Sequence, residues 1–160
     1  MKRSLIILIL IPLSLWSGTK DTLPIANSII LDFIEDNIGK IVGAGSCHEL
    51  VLNALNRVDN TWALRSEEIW MYGRRIKSRD VIPGDIIRYN NVKMKNGIDL
   101  KNHIAIVYRV LDKKKFLVAE QNVANSKDFV TWRDSKVMIN EENLRNKKIG
   151  RGTIKFYRPY

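Results

Sequence analysis

The only cysteine of the 160-residue chain, Cys47, lies in the stretch GAGSCHELV beside one of its two histidines. Ser46 and Glu49 stand in the S-x-x-E arrangement of a helix capping box, which predicts Ser46 as the N-cap and Cys47 as the first helical residue. At that position the helix dipole and the unpaired amides favour a thiolate. Cys47 is therefore a candidate nucleophile, the alternative being a small buried residue that heads an apolar stripe.

A nucleophilic thiol needs a base that faces it, and the chain offers only His48 and His103. His48 is the next residue on the same helix, so its side chain points about 100° away from that of Cys47. His103 begins HIAIVYRV, whose apolar and β-branched pattern predicts a strand. We therefore expect His103 to be the base and His48 to be exposed or a substrate contact.

The group that orients the base is predicted from a hairpin. HIAIVYRV and KFLVAEQN read as two antiparallel strands, joined by a two-residue or a four-residue loop. Either loop places Asn122 directly opposite His103, with Glu120 on the same face as a diagonal neighbour and Gln121 on the other face. We favour Asn122 as the residue that orients the His103 ring and take Glu120 as a second polar member of the site.

The remaining elements define the fold class. An amphipathic helix over Ile25–Ile38 precedes the Cys47 helix, and a short helix over Ser66–Tyr72 follows it. Further strands are predicted at VIPGDIIRY, FVTWRD and GTIKFYRP, while the polar segment Asn90–Asn102 is expected to cover the cleft. Helices that come first and antiparallel strands that follow indicate an α+β fold.

The chain resembles the CHAP group of cysteine, histidine-dependent amidohydrolases/peptidases, in the papain-like superfamily that includes NlpC-type enzymes. The resemblance covers about residues 39–159 and consists of an ordered set of motifs: G-A-G-S-C-H-E-L-V, P-G-D-I-I-R-Y, H-I-A-I-V, A-E-Q-N and I-K-F-Y-R-P. It implies a papain-like cysteine hydrolase fold, with N-terminal helices packed on an antiparallel sheet. It also implies Cys47 as nucleophile, His103 as base, and Glu120 or Asn122 as the polar partner.

CHAP proteins commonly hydrolyse amide bonds in peptidoglycan, so the resemblance implies a peptidoglycan amidase or endopeptidase. Two alternatives remain: a non-enzymatic module that binds the cell envelope, and a secreted effector that acts on an amide outside the wall. An activated thiol beside an imidazole argues for an enzyme, because a binding module needs neither.

The N-terminus predicts export. Residues 1–18 begin with two basic residues, continue with LIILILIPLSL and end in small residues, the pattern of a signal peptide or of an uncleaved N-terminal anchor. We expect a secreted, periplasmic or cell-envelope protein in which residues 19–160 form one CHAP-like catalytic domain, acting as a monomer. The single cysteine leaves no internal disulfide for that domain.

The charge balance bears on partners. A formal net charge of +10 favours polyanions, which for an exported protein are anionic envelope polymers. The sequence contains no recognised nucleic-acid motif, so we expect no nucleic-acid partner. One cysteine and two histidines leave little from which to build a metal site, and we expect neither metal nor cofactor.

Overall fold

A computed structural model describes residues 22–59, 61, 72–95, 97, 99–123, 135–148 and 150–160. Two helices come first, and six strands follow. In chain order the elements are α1 (Ile25–Asn37), α2 (Cys47–Val58), β1 (Arg74–Ile76), β2 (Ile86–Lys93), β3 (Asp99–Asp112), β4 (Lys115–Glu120), β5 (Met138–Asn143) and β6 (Thr153–Arg158). Short 3-10 turns lie at Ser78–Asp80 and Leu144–Asn146. This arrangement confirms the α+β class.

The six strands form one antiparallel sheet in the order β1-β6-β2-β3-β4-β5. The hairpin of β2 and β3 is longer than predicted, since pairing continues to Lys93 and Asp99. Residues 90–93 and 99–102 therefore pair in the sheet and do not form a loop, while Met94 and Leu100 at this end of the hairpin line a pocket that Glu120 also lines. Val92 and Leu100 explain the difference, because they are directly paired and both are buried.

The helices bury one face of the sheet. On α2 the buried side chains include Val51, Ala54 and Leu55, and Cys47 and Val58 pack at the ends of the same stripe, as the sequence predicted. The helices and the sheet share a core that includes Ile30, Ile34, Leu50, Leu55, Ile86, Ile104, Ile106 and Ala119. The thiol therefore lies at the end of a well-packed helix and not on a free loop.

The sheet buries its second face against itself. The rings of Phe116 in β4 and Phe156 in β6 have centroids 5.7 Å apart, although β2 and β3 separate these strands in the sheet. Three strand spacings in a flat sheet would span about 14 Å, so the sheet is strongly curled. Because side chains alternate along β3, His103 shares this second face with Ala105 and Val107.

A buried ion pair fastens α1 and β6 to the turn before β2. Asp85 is fully buried; its carboxylate accepts hydrogen bonds from Arg158 Nε at 3.0 Å and Nη2 at 2.9 Å, from Asn27 Nδ2 at 3.0 Å and from the Ile82 amide at 2.8 Å. Gly84 precedes it with φ +84°, and a Cβ there would lie 2.6 Å from the Asn27 carbonyl oxygen. The turn therefore requires glycine.

Three predicted segments fall outside the described residues: the signal peptide at 1–18, the strand at 129–134, and all but the last residue of the helix at 66–72. Within the part of the chain that is described, no helix is long and apolar enough to cross a membrane.

Candidate active site

The capping box at the start of α2 confirms the sequence prediction. Ser46 Oγ accepts from the Glu49 amide at 3.1 Å, and Glu49 Oε2 accepts from the Ser46 amide at 3.3 Å and the Ala44 amide at 3.0 Å. Cys47 is the first residue of the helix and is partly exposed. The thiol thus sits at the positive end of a 12-residue helix, where a thiolate is stabilised.

The Cys47 thiol meets the His103 ring. The two side chains are hydrogen-bonded, and the thiol also contacts the backbone amides of Ile104 and His48. The last pair between β3 and β4 is Ile106↔Ala119. The backbone of Ile104 lies beyond that pair, and it is there that the thiol contacts it. The end of β4 thereby lets a residue on the helix side of the sheet contact a histidine on its other face.

The partner of His103 on the far side of the ring is Glu120. His103 Nε2 lies 2.7 Å from Glu120 Oε2, and the two side chains are only 6% and 9% exposed. The other ring nitrogen, Nδ1, is therefore the one that contacts the Cys47 thiol. Glu120 Oε1 in turn accepts from Asn140 Nδ2 of β5 at 2.8 Å. A hydrogen-bonded chain runs from Cys47 through His103 and Glu120 to Asn140.

The preference for Asn122 as the residue that contacts His103 is not what the geometry shows. β4 ends at Glu120, and Asn122 has φ +56°, so it no longer follows the alternation of the strand. Its backbone amide donates to Ser135 Oγ at 2.7 Å. Glu120, the diagonal neighbour on the same face as His103, makes the contact with its longer side chain.

The hairpin reaches the predicted register by a different route. The turn is formed by Lys113 and Lys114, a loop that was not predicted, and pairing starts at Asp112↔Lys115. Two register shifts follow, each adding one residue to β3, so that Val107 faces Val118. Extending that register would place His103 opposite residue 122, as expected from the sequence. The two shifts compensate for the displaced turn.

Charge coupling explains how the thiol is activated. Burial alone raises the pKa of Cys47, but the hydrogen bond and charge of His103, with the amides of Ile104 and His48, lower it below the usual 9.0. Burial lowers the pKa of His103, whereas Cys47 and Glu120 raise it from 6.5 to about 9. Both shifts therefore favour the thiolate–imidazolium form of the coupled pair.

Gln121 anchors the loop that precedes the cysteine. It is 1% exposed, its Oε1 accepts from the Val42 amide at 2.9 Å, and its Nε2 donates to the carbonyls of Val42 at 3.0 Å and Ser46 at 3.2 Å. Sequence reasoning placed Gln121 on the face opposite His103 but gave it no role. Its position directly after Glu120 means that one stretch of chain holds both the cysteine loop and the partner of the histidine.

Sequence reasoning also missed the polar residues around Glu120. Asn140 and Glu142 lie on β5, whose sequence MINEEN does not read as a strand. Burial, with the charge of Glu120, raises the pKa of Glu142 to about 7. Tyr89, directly paired with His103, places its ring centroid 5.8 Å from the imidazole. Among the described residues, no group of three or more His, Cys, Asp or Glu side chains is placed to hold a metal ion.

Two solved structures are similar in fold. The crystal structure of a wild-type endolysin, LysIME-EF1, matches with a TM-score of 0.55 and 17% identity over 83% of this chain and 63% of that chain. The crystal structure of Ly7917 with the hydrolyzing product of MDP matches with a TM-score of 0.51 and 13% identity over 83% of this chain and 62% of that chain. Such identities show the fold alone, and this chain spans less than two thirds of either protein.

No curated protein matches the chain significantly. A family model does: the AIM3/BBC1 cysteine proteinase-fold domain matches residues 26–160. The match includes α1 from its second residue, all of α2, the six described strands, and the hydrogen-bonded chain of Cys47, His103 and Glu120. The papain-like fold implied by the sequence motifs agrees with that description and with the fold of the two similar structures. The chain therefore belongs to the family of AIM3/BBC1 cysteine proteinase-fold domains.

Proposed function

We propose that this chain is an exported, CHAP-like cysteine hydrolase that cleaves amide or peptide bonds in peptidoglycan, as an amidase or an endopeptidase. The hydrogen-bonded chain of Cys47, His103 and Glu120 at the start of α2 carries the proposal. In it Cys47 is the nucleophile, His103 is the acid and base, and Glu120 is a positioning residue that holds the ring and stabilises its charge.

Acylation starts from the thiolate–imidazolium pair. The Cys47 sulfur attacks the carbonyl carbon of the scissile amide, and the carbonyl oxygen becomes an oxyanion. The Cys47 backbone amide, at the helix N-terminus, is the proposed donor to that oxygen. His103 then gives its Nδ1 proton to the leaving nitrogen, the C–N bond breaks, and a thioester with Cys47 remains.

Deacylation reverses the roles of the same groups. Neutral His103 takes a proton from a water molecule, whose oxygen attacks the thioester carbonyl. The carboxylic acid product leaves as the C–S bond breaks, and the thiolate–imidazolium pair is restored. Glu120 favours the protonated ring in both half-reactions, because its carboxylate is buried 2.7 Å from Nε2.

Similarity supports peptidoglycan as the substrate. One of the two similar structures is an endolysin, and the other, Ly7917, holds the hydrolyzing product of MDP. The signal-like N-terminus would bring the domain to the envelope, where such a substrate lies. Export of the protein and its membership of the CHAP group are proposed together with the peptidoglycan substrate.

A second candidate is hydrolysis of an amide outside the wall. One observation favours it: the family to which the chain belongs is described by its cysteine proteinase fold and not by a wall substrate. The chemistry at Cys47 and His103 would be the same, and only the groups that bind the acyl and amine parts of the substrate would differ.

Digestion of purified peptidoglycan sacculi tests the proposal. The wild-type protein should release soluble fragments whose masses identify the cleaved bond, while Cys47→Ala should release none. His48→Gln is the matched control, since it removes the other imidazole and should leave most of the activity. Fragment release by Cys47→Ala would contradict the mechanism, whereas intact sacculi together with cleavage of a general peptide library would favour the second candidate.

A further inference from the structure

A groove at the end of the sheet opposite β5 has no part in the proposed chemistry. It has a volume of about 560 Å³, and its polar lining consists of Arg75, Lys77, Ser78 and Lys155. Strands β1 and β6 supply these residues, with the segment that follows β1. The strands that carry His103 and Glu120 lie further along the sheet, beyond β2.

The groove exists because β1 is much shorter than its neighbour. β1 pairs with β6 only from Ile76↔Phe156 to Arg74↔Arg158, whereas β6 continues to Thr153. Residues 153–155 are paired with β2 on one side and are not covered by β1 on the other. The groove therefore runs beside a strand edge, and Ile76, Ile154 and Phe156 form its apolar wall.

The charge of the groove has one sign. Of the residues that the structure describes, three cationic side chains and no carboxylate line it. Among the described residues, none of these three cations forms an ion pair, while the neighbouring carboxylates of Asp80 and Asp85 pair with Arg79 and Arg158. Like charges around one groove repel, and a bound anion would relieve that repulsion.

We propose that this groove binds the phosphate groups of an anionic polymer. The planar guanidinium of Arg75 suits bidentate contacts to phosphate oxygens, and the two lysines add point charges on either side. The strand edge offers backbone groups along an extended ligand, which favours a chain of phosphates over a single ion.

The surface features disfavour a lipid bilayer as the partner. The large hydrophobic side chains that are exposed within the described residues lie elsewhere, at Ile25, Ile38, Ile41, Leu111, Met138 and Tyr160. The groove thus has no exposed apolar residue of that kind to enter a membrane. Because the site is separate from Cys47, binding would hold the protein on its polymer without changing the hydrolysis of a small substrate.

Binding of the full chain to long-chain inorganic polyphosphate tests the proposal, measured by isothermal titration at low and at physiological salt. The triple variant Arg75→Gln/Lys77→Gln/Lys155→Gln should lose about tenfold or more in affinity and show a shallower dependence on salt. The matched control is Arg109→Gln/Lys113→Gln/Lys114→Gln, which removes three exposed charges at the hairpin tip and should bind within about twofold of wild type.

Three comparisons complete the test. Equal losses in the two triple variants would overturn the proposal, because net charge alone would then explain binding. Polyglutamate bound as tightly as polyphosphate would overturn its phosphate specificity. The third comparison is with anionic vesicles and single-stranded nucleic acid. Binding of either one more tightly than polyphosphate, with the same loss of affinity in the groove variant, would overturn the proposal, because the partner of the groove would then be a membrane or a nucleic acid.

Discussion

Replacing Glu120 by glutamine removes a buried charge next to His103 and keeps the shape of the side chain. In the wild-type protein, Asn140 Nδ2 donates to Glu120 Oε1 at 2.8 Å. The amide oxygen of the introduced glutamine would retain that hydrogen bond. The new amide nitrogen would then face His103 Nε2, which can accept a hydrogen bond only when it carries no proton. The substitution should therefore shift the ring from imidazolium towards neutral imidazole.

The expected size follows from the pKa of His103. A value of about 9 instead of 6.5 corresponds to about 3 kcal/mol in favour of the imidazolium. Burial opposes this, so the contributions of Cys47 and Glu120 together exceed that figure. If Glu120 supplies about half, its loss lowers the pKa of His103 by roughly 1–2 units, and the alkaline limb of the activity profile moves down equally.

The chain is well suited to a direct measurement because it has only two histidines. A proton NMR titration of the His103 ring gives its pKa, and His48→Gln identifies the other signal. Glu141→Gln is the matched control, since it removes an exposed carboxylate that pairs with Lys115 on the neighbouring strand. A His103 pKa that is unchanged in Glu120→Gln, or that falls equally in Glu141→Gln, would refute the assigned role of Glu120.

Four further outcomes are expected. Cys47 should react with iodoacetamide in the native protein well below pH 8, whereas labelling only after denaturation would mean an inert thiol. Gln121→Met should slow that reaction while circular dichroism stays native, because the Val42 amide loses its buried partner at a cost of about 1–3 kcal/mol. Arg158→Met should destabilise the fold by about 3–5 kcal/mol in urea unfolding, since Asp85 is left buried and unpaired. Glu142→Gln should stabilise the protein at pH 8 but not at pH 4.5. The folded state favours a protonated Glu142, so this carboxyl group's contribution to stability is complete below pH 4.5 and is lost as the pH rises through about 7. Glutamine has no charge to lose and avoids that loss at high pH.

Local rules accounted for much of the site. The S-x-x-E pattern predicted the start of α2 because a capping box is satisfied within four residues. Helical geometry identified His103 rather than His48 as the imidazole that faces the thiol, and the structure shows the side-chain hydrogen bond to His103. Strand alternation placed Glu120 on the face of His103, since pleating depends only on parity along the chain.

The remaining features depend on contacts that are distant in the sequence. The choice between Glu120 and Asn122 turned on where β4 ends, which no local pattern fixes. β5 was missed because MINEEN is polar and is held as a strand by pairing with β4. The role of Gln121 required knowing that residues 42–46 lie beside the end of β4, 75–79 positions away in the chain.

The number of register shifts in the β3–β4 hairpin determines whether Glu120 and His103 lie on the same face of the sheet. The two shifts each insert a residue into β3, at Tyr108 and at Leu111, and together they preserve the side on which Glu120 emerges. A deletion that erased only one of them would turn Glu120 to the helix side of the sheet, away from His103. A deletion that erased both would return the carboxylate to the histidine's side. In deletion scanning of this hairpin, we expect single losses to be tolerated less well than paired ones, so its length should vary among functional sequences in steps of two.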